Sequence, residues 1–179
     1  MITCPLRGTG GKYSAFKEKK MEIVLKPLGV IHSPFKTVEN MPIQPMAGRD
    51  YEAQIEIYPE FQEGLADLEG FSHLYIIFHL NKVEKYKLKV IPFLDTVERG
   101  VFATRSPARP NSLGLSLVEL ISVDKNILKI RGVDMLDGSP VLDIKPYVPD
   151  FDRHDNVRKG WFEGKSEDAR TRLSDDRFK

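Results

Sequence analysis

Ala53-Gln54-Ile55-Glu56-Ile57-Tyr58 alternates apolar and polar residues at every step. This is the period of a β-strand with one face in a core and the other in water. Downstream, Leu74-Tyr75-Ile76-Ile77-Phe78 is apolar on both faces, which predicts a strand flanked on both sides. Between them Phe61, Leu65 and Leu68 fall at i, i+4 and i+7, so a short helix is expected, weakened by Gly64 and ended by Gly70. Further strands are expected at Glu22 to Val30, Lys87 to Ile91, Gly100 to Thr104, Gly114 to Ile121, Ile127 to Val133 and Val141 to Lys145. Asp124-Lys125-Asn126 and Asp137-Gly138-Ser139-Pro140 supply turns. Repeated short strands without strand-helix alternation predict a mainly all-β domain, a barrel or a sandwich.

Three parts follow along the chain. Residues 1–20 carry Gly8, Gly10 and Gly11 and five basic residues against one acid, which reads as a flexible basic arm. Met21 directly precedes the first strand-like run, so a downstream translation start is expected there. Residues 21–150 form the β domain. Residues 151–179 form a charged tail whose one aromatic pair is Trp161-Phe162.

A chain of 179 residues with 41% hydrophobic and 30% charged residues buries a real core, which argues against disorder throughout. The longest apolar run, Leu74 to Phe78, is far short of a membrane-spanning helix, and the N-terminus lacks a secretory pattern; no membrane association and a cytoplasmic location are expected. The single cysteine, Cys4, rules out an internal disulfide framework. A net charge of +1 means that a polyanion has to be held by a local basic surface.

The most informative segment is Ala103-Thr104-Arg105-Ser106-Pro107-Ala108-Arg109-Pro110-Asn111-Ser112-Leu113-Gly114-Leu115-Ser116. Two prolines fix the backbone around Arg105 and Arg109, which presents preorganised guanidiniums suited to carboxylates or phosphates. The same spacing also fits surface ion pairs on a stiff connection. The second segment, Arg131 to Tyr147, combines a strand end, a tight turn and the carboxylates Asp134, Asp137 and Asp143. Turn chemistry alone accounts for Asp137-Gly138, and Asp143 alternates with Leu142 and Ile144 as a solvent-facing residue does.

His32, His73, His79 and His154 lack metal-pair spacing, so no metal is expected. The chain holds no nucleophile elbow, no phosphate-cradling P-loop and no dinucleotide fingerprint.

At the two long segments the sequence resembles the TrmO (TsaA-like) family. Thr104-Arg105-Ser106-Pro107-Ala108-Arg109-Pro110-Asn111 leading into Leu113-Gly114-Leu115-Ser116 carries the resemblance, as does Asp137-Gly138-Ser139-Pro140-Val141-Leu142-Asp143-Ile144-Lys145-Pro146-Tyr147. Gly29-Val30-Ile31-His32-Ser33-Pro34-Phe35, Gln44-Pro45 and Leu68-Glu69-Gly70-Phe71-Ser72-His73-Leu74 extend it over about Leu28 to Pro149. The resemblance implies a single β-barrel methyltransferase. It would act as a homodimer with S-adenosylmethionine on N6 of threonylcarbamoyladenosine beside the tRNA anticodon.

By position, the resemblance implies cofactor contacts at Pro45, Met46, Ala47, Asn81, Lys82, Arg105, Leu115, Arg131, Gly132, Val133 and Asp134. Substrate contacts would fall on Arg109, Asn111, Asp137 and Asp143. Met46-Ala47 stands where bacterial relatives tend to have glycine, and the tail is shorter than their extra C-terminal domain. No general base is identified; methyl transfer is mainly a matter of holding the nucleophile in line and needs no metal. The cluster Lys82, Lys85, Lys87 and Lys89 either grips phosphates or guards a strand edge. A non-catalytic RNA-binding barrel, an interaction module for an acidic partner, and a methyltransferase acting on a small metabolite are the competing readings.

Overall fold

The computed structural model describes residues 22–39, 41–43, 47–165 and 173–174. The expected basic arm, Cys4 and the candidate contacts Pro45 and Met46 lie outside the described residues. The strands are β1 (Gly29–His32), β2 (Glu52–Ile57), β3 (His73–His79), β4 (Lys89–Val90), β5 (Arg99–Gly100), β6 (Leu113–Asp124), β7 (Ile127–Arg131) and β8 (Pro140–Pro146). Six of them close into an antiparallel barrel in the order β1-β2-β7-β6-β3-β8, and β8 returns to β1. β4 and β5 form a two-stranded ribbon within the long excursion between β3 and β6. The expected all-β barrel is the fold found.

The alternation read in β2 holds residue by residue: Ala53, Ile55 and Ile57 are buried while Gln54 and Glu56 face water. β3 lies between β6 and β8, and Leu74, Ile76 and Phe78 face inward. Ile31, Val118, Leu128, Ile130 and Val141 complete the filling of the barrel. Val133 and Met135, from the connection after β7, cap it. Barrel diameter grows with strand number, and about eight strands already enclose only enough room for side chains. Six strands therefore leave no lumen for a ligand.

Three expectations are corrected. Glu22 to Leu28 is not strand; pairing starts at Gly29, and Ile23, Val24 and Leu25 are exposed. The partner strand explains this, because β2 ends at Ile57 and Pro59 turns the chain into a 3-10 helix, removing the ladder that earlier residues would need. Gly100 to Thr104 is strand only at its first residue, since Val101–Ala103 forms a 3-10 turn. The helix expected from Phe61, Leu65 and Leu68 is two 3-10 pieces, Pro59–Leu65 and Leu68–Gly70, joined through Asp67 at φ 65°. Its apolar side chains still pack on the core.

The topology sends the three long connections out of one end of the barrel. Residues 33–51 leave β1, 80–112 leave β3 and 132–139 leave β7. The opposite end carries the 3-10 pieces, the tight turn at Lys125 (φ 56°) and the chain leaving β8.

β1 and β2 approach so closely at Gly29 that an added Cβ would lie 2.2 Å from the Glu56 carbonyl oxygen and 2.9 Å from Ile57 Cα, both backbone atoms of the partner strand. Gly29→Ala is therefore expected to destabilise the barrel by about 3 kcal/mol. The loss should appear as a lower urea midpoint with an unchanged slope, and an unchanged midpoint would contradict the close pairing.

Candidate functional site

The rim formed by the three long connections collects most of the residues singled out in the sequence. Gly48 and Tyr51, just after the candidate contact Ala47, meet the end of β7: Val133 N–H donates to Gly48 O (3.2 Å) and Gly132 N–H to Tyr51 O (3.1 Å). A Cβ on Gly48 would sit 2.1 Å from Val133 O, so only glycine allows this contact. Gly132 has φ 84°, the left-handed region that glycine enters without strain. Two segments far apart in sequence are thereby fixed against each other at the barrel mouth.

Asp134 follows directly. Its carboxylate accepts a hydrogen bond from Ser116 Oγ (2.5 Å), which projects inward from β6. Asp134 is half-buried as a residue, but its carboxyl is withdrawn from water, and this desolvation pushes it up to about 6. The Ser116 hydroxyl and the Arg105 guanidinium act in the lowering direction and do not outweigh burial. Arg105 likewise acts to lower Tyr75, whose hydroxyl is raised by burial first and by Asp152 and Tyr147 after it. Arg105 is thus electrostatically coupled both to the mouth of the barrel and to the outer side of β3.

The arginine loop is rigid for visible reasons. Thr104, Ser106 and Ala108 are buried, and Arg105 is exposed. Thr104 Oγ1 donates to Val101 O (2.8 Å) and accepts from Ser106 N–H (3.2 Å), and Ser106 Oγ accepts from Ala108 N–H (3.3 Å). Arg109 turns inward: its Nη1 donates to Val101 O (3.0 Å) and Thr104 O (2.8 Å). Its guanidinium clasps the loop that displays Arg105. Trp161 of the tail donates Nε1–H to Ala103 O (2.6 Å), and Lys165 pairs with Asp95 (3.1 Å), so the tail packs against this loop as far as Lys165.

The remaining candidates divide by position. Asn81 and Lys82 are exposed just after β3, where Leu80 N–H donates to Ser112 O (2.8 Å), which places them beside Asn111 at the same rim. Arg131 lies on the outer wall, where it pairs with Glu52 (2.9 Å) and Glu119 (3.3 Å). Asp137 accepts from Ser33 N–H (3.0 Å) and pairs with Lys36 (2.8 Å), which ties the turn before β8 to the chain leaving β1. Lys36 first of all holds the Asp137 carboxyl below its ordinary value.

Leu115 and Asp143 stand apart from the rim cluster. Both are in register with Ile77, on the outer face of β6, β3 and β8, and Asp143 pairs there with Lys145 (2.9 Å). Leu115 is 54% exposed and Leu113 39% exposed, so this face presents an apolar strip.

Sequence reasoning gave no role to Ser116. The sequence pattern points the other way, since Leu113, Leu115 and Leu117 would be taken as the inward period of β6; the structure instead buries Gly114, Ser116 and Val118, and the buried hydroxyl of Ser116 then needs a partner. Cavity shape is no guide here. A hollow of about 270 Å³ at the opposite end, lined by Glu69, Phe71 and residues 120–123, holds none of the candidate residues.

The geometry defines a class: a small closed barrel whose one rim juxtaposes a rigid arginine loop, a glycine-tightened strand end and a desolvated carboxylate. The family model for the tRNA-methyltransferase O N-terminal domain matches residues 30–153. The chain belongs to this TrmO family. It is 49% identical over 156 residues to a probable S-adenosyl-L-methionine-binding protein of Pyrococcus abyssi, which covers 87% of this chain and 85% of that protein. It is 40% identical over 142 residues to the tRNA (adenine(37)-N6)-methyltransferase of Mus musculus, covering 75% of this chain and 33% of that one. The crystal structure of TrmO from Pseudomonas aeruginosa superposes with a TM-score of 0.67 at 36% identity, covering 79% of this chain and 63% of that chain. The chain thus spans less than two thirds of that solved structure and a third of the mouse protein.

The Asp134 carboxyl makes a signed prediction. Its raised value means that the folded protein holds this proton more tightly than the unfolded chain, so its contribution turns unfavourable as pH rises from about 4 through 6. Asp134→Asn, which can still accept from Ser116, should stabilise the fold at pH 8 by up to about 2–3 kcal/mol, and by nothing near pH 4. Thermal melts across this range check it; a pH-independent difference would contradict the buried carboxylate.

Proposed function

We propose that this protein is an S-adenosylmethionine-dependent methyltransferase acting on tRNA, at N6 of threonylcarbamoyladenosine beside the anticodon. The observation that carries the reading is the rim cluster of Arg105, Asp134 and Ser116 beside Gly132 and Val133, which are fixed against Gly48 and Tyr51. The donor set fits the cofactor: a guanidinium suits its amino-acid carboxylate, and a desolvated carboxylate suits its ammonium or sulfonium. The names of the Pyrococcus and Mus relatives support the same cofactor and the same base position.

When bound, S-adenosylmethionine supplies an electrophilic methyl group. The chain's part is positioning. The Arg109 clasp on Val101 O and Thr104 O fixes the backbone that carries Arg105, so little loop freedom remains to be lost on binding. Gly132, at φ 84°, turns the chain out of β7 just ahead of Asp134, which carries its charge above about pH 6. Met46 and Pro45 are part of the proposed contact set by family position.

Two copies of the chain are part of this proposal. Leu115 and Asp143 face away from the rim cluster, and the exposed apolar strip around them suits burial against a second copy. Contacts from Leu115 would then reach the ligand of the partner subunit.

Calorimetry with S-adenosylmethionine tests the reading. Micromolar binding at pH 7.5 is expected, weakened at least tenfold by Arg105→Ala and falling as pH drops through about 6 with the Asp134 charge. No binding at millimolar cofactor would overturn it in favour of a non-catalytic barrel. Binding without methyl incorporation into threonylcarbamoyladenosine-containing tRNA would shift the acceptor to a small molecule.

A further inference from the structure

The excursion between β3 and β6 holds a feature that the cofactor site does not use. Phe102 is 76% exposed at the centre of the 3-10 turn Val101–Ala103. An exposed phenylalanine is ordinarily mobile, but this one is held. The Arg109 guanidinium lies 5.8 Å from its ring centroid and is itself fixed by Val101 O and Thr104 O, while Trp161 Nε1–H holds the next carbonyl, Ala103 O. The high exposure leaves the rest of the ring open to solvent.

The ribbon brings a second aromatic residue and several cations to the same segment. Tyr86 is 60% exposed, and Lys85, Lys87 and Lys89 are exposed around it. Lys87 N–H donates to Ala108 O (3.1 Å) and Val101 N–H to Leu88 O (2.9 Å), so this stretch is stitched to the arginine loop. Charge is concentrated here as well. Residues 80–112 contain seven basic residues against three acids, in a chain whose net charge is +1. Asp95 is occupied by Arg99 and Lys165, and Glu98 lies 3.8 Å from Lys89. A lysine-guarded strand edge accounts for the cations; it does not account for a pinned, exposed aromatic ring beside them.

We propose that Phe102 and Tyr86 form a stacking platform for unpaired bases of an RNA loop, with Lys85 and Lys87 on the flanking phosphates. This rests on the tRNA reading above and assigns the surface that holds the acceptor strand. Aromatic rings serve any unpaired base because every base has a π-face, and phosphate contacts set the register. The fixed turn beneath the ring lowers the ordering cost of binding, as it does for the backbone that carries Arg105.

The test uses the full chain and a fluorescently labelled anticodon stem-loop RNA, read by anisotropy through a salt series, with S-adenosylmethionine calorimetry as the control. Phe102→Leu should weaken RNA binding roughly tenfold, and Phe102→Trp should restore it. The double substitution Lys85→Ala, Lys87→Ala should reduce the slope of log K against log salt by about 1.4. Cofactor affinity should stay within twofold in all three variants. RNA binding by the wild type with no loss in Phe102→Leu, or with no rescue by tryptophan, overturns the platform and leaves the functional reading standing. No RNA binding by the wild type removes the tRNA reading itself.

Discussion

Closure of six strands on themselves is the constraint from which the rest of the molecule follows. A closed sheet has no edge to protect, and at this strand number the interior is filled by Ile31, Ile55, Leu74, Ile76, Leu128 and Ile130. Ligand chemistry is thereby excluded from the lumen and displaced to the connections. The strand order puts all three long connections at one rim, so residues as distant in sequence as Ala47, Arg105 and Asp134 are neighbours by topology.

A rim built from loops needs other means of holding geometry, because it lacks ladder hydrogen bonds. The chain supplies them from within. Arg109 and Thr104 satisfy loop carbonyls, Gly48 admits Val133 at backbone distance, and Asp137 binds the turn before β8 to Ser33 and Lys36. The tail adds Trp161 on Ala103, and Ser174 N–H on Met41 O (2.8 Å) just ahead of the candidate contact at Pro45. The cost of preorganisation is concentrated at Asp134, whose carboxyl is desolvated by more than the Ser116 hydroxyl and the Arg105 guanidinium offset. A destabilised charge at the centre of a rigid rim is the trade of stability for function expected of a binding site.

The barrel was legible in the sequence where alternation records burial directly, as in β2 and β7; in β6 the pattern is inverted, with Leu113 and Leu115 facing out and Gly114, Ser116 and Val118 facing in. It was not legible at Glu22 to Leu28 or Gly100 to Thr104, where the residues favour extended backbone but the fold offers no continuing partner strand. The site was legible as two motifs, and their meeting was not. Ser116 reaches Asp134 across strands that pair only in the folded state, and the inward turn of Arg109 depends on the carbonyls of Val101 and Thr104, gathered by a 3-10 turn that apolar periodicity does not reveal. The separation of Leu115 and Asp143 from the rim cluster likewise became visible only with the register to Ile77.

Binding at one rim of a filled barrel is the reading proposed for this chain. Amide hydrogen exchange with and without S-adenosylmethionine tests it most directly. The account predicts added protection in residues 47–51, 80–83, 104–116 and 131–134, with none in 58–72 or 125–126. Protection concentrated at the opposite end, or spread evenly along the strands, would contradict it.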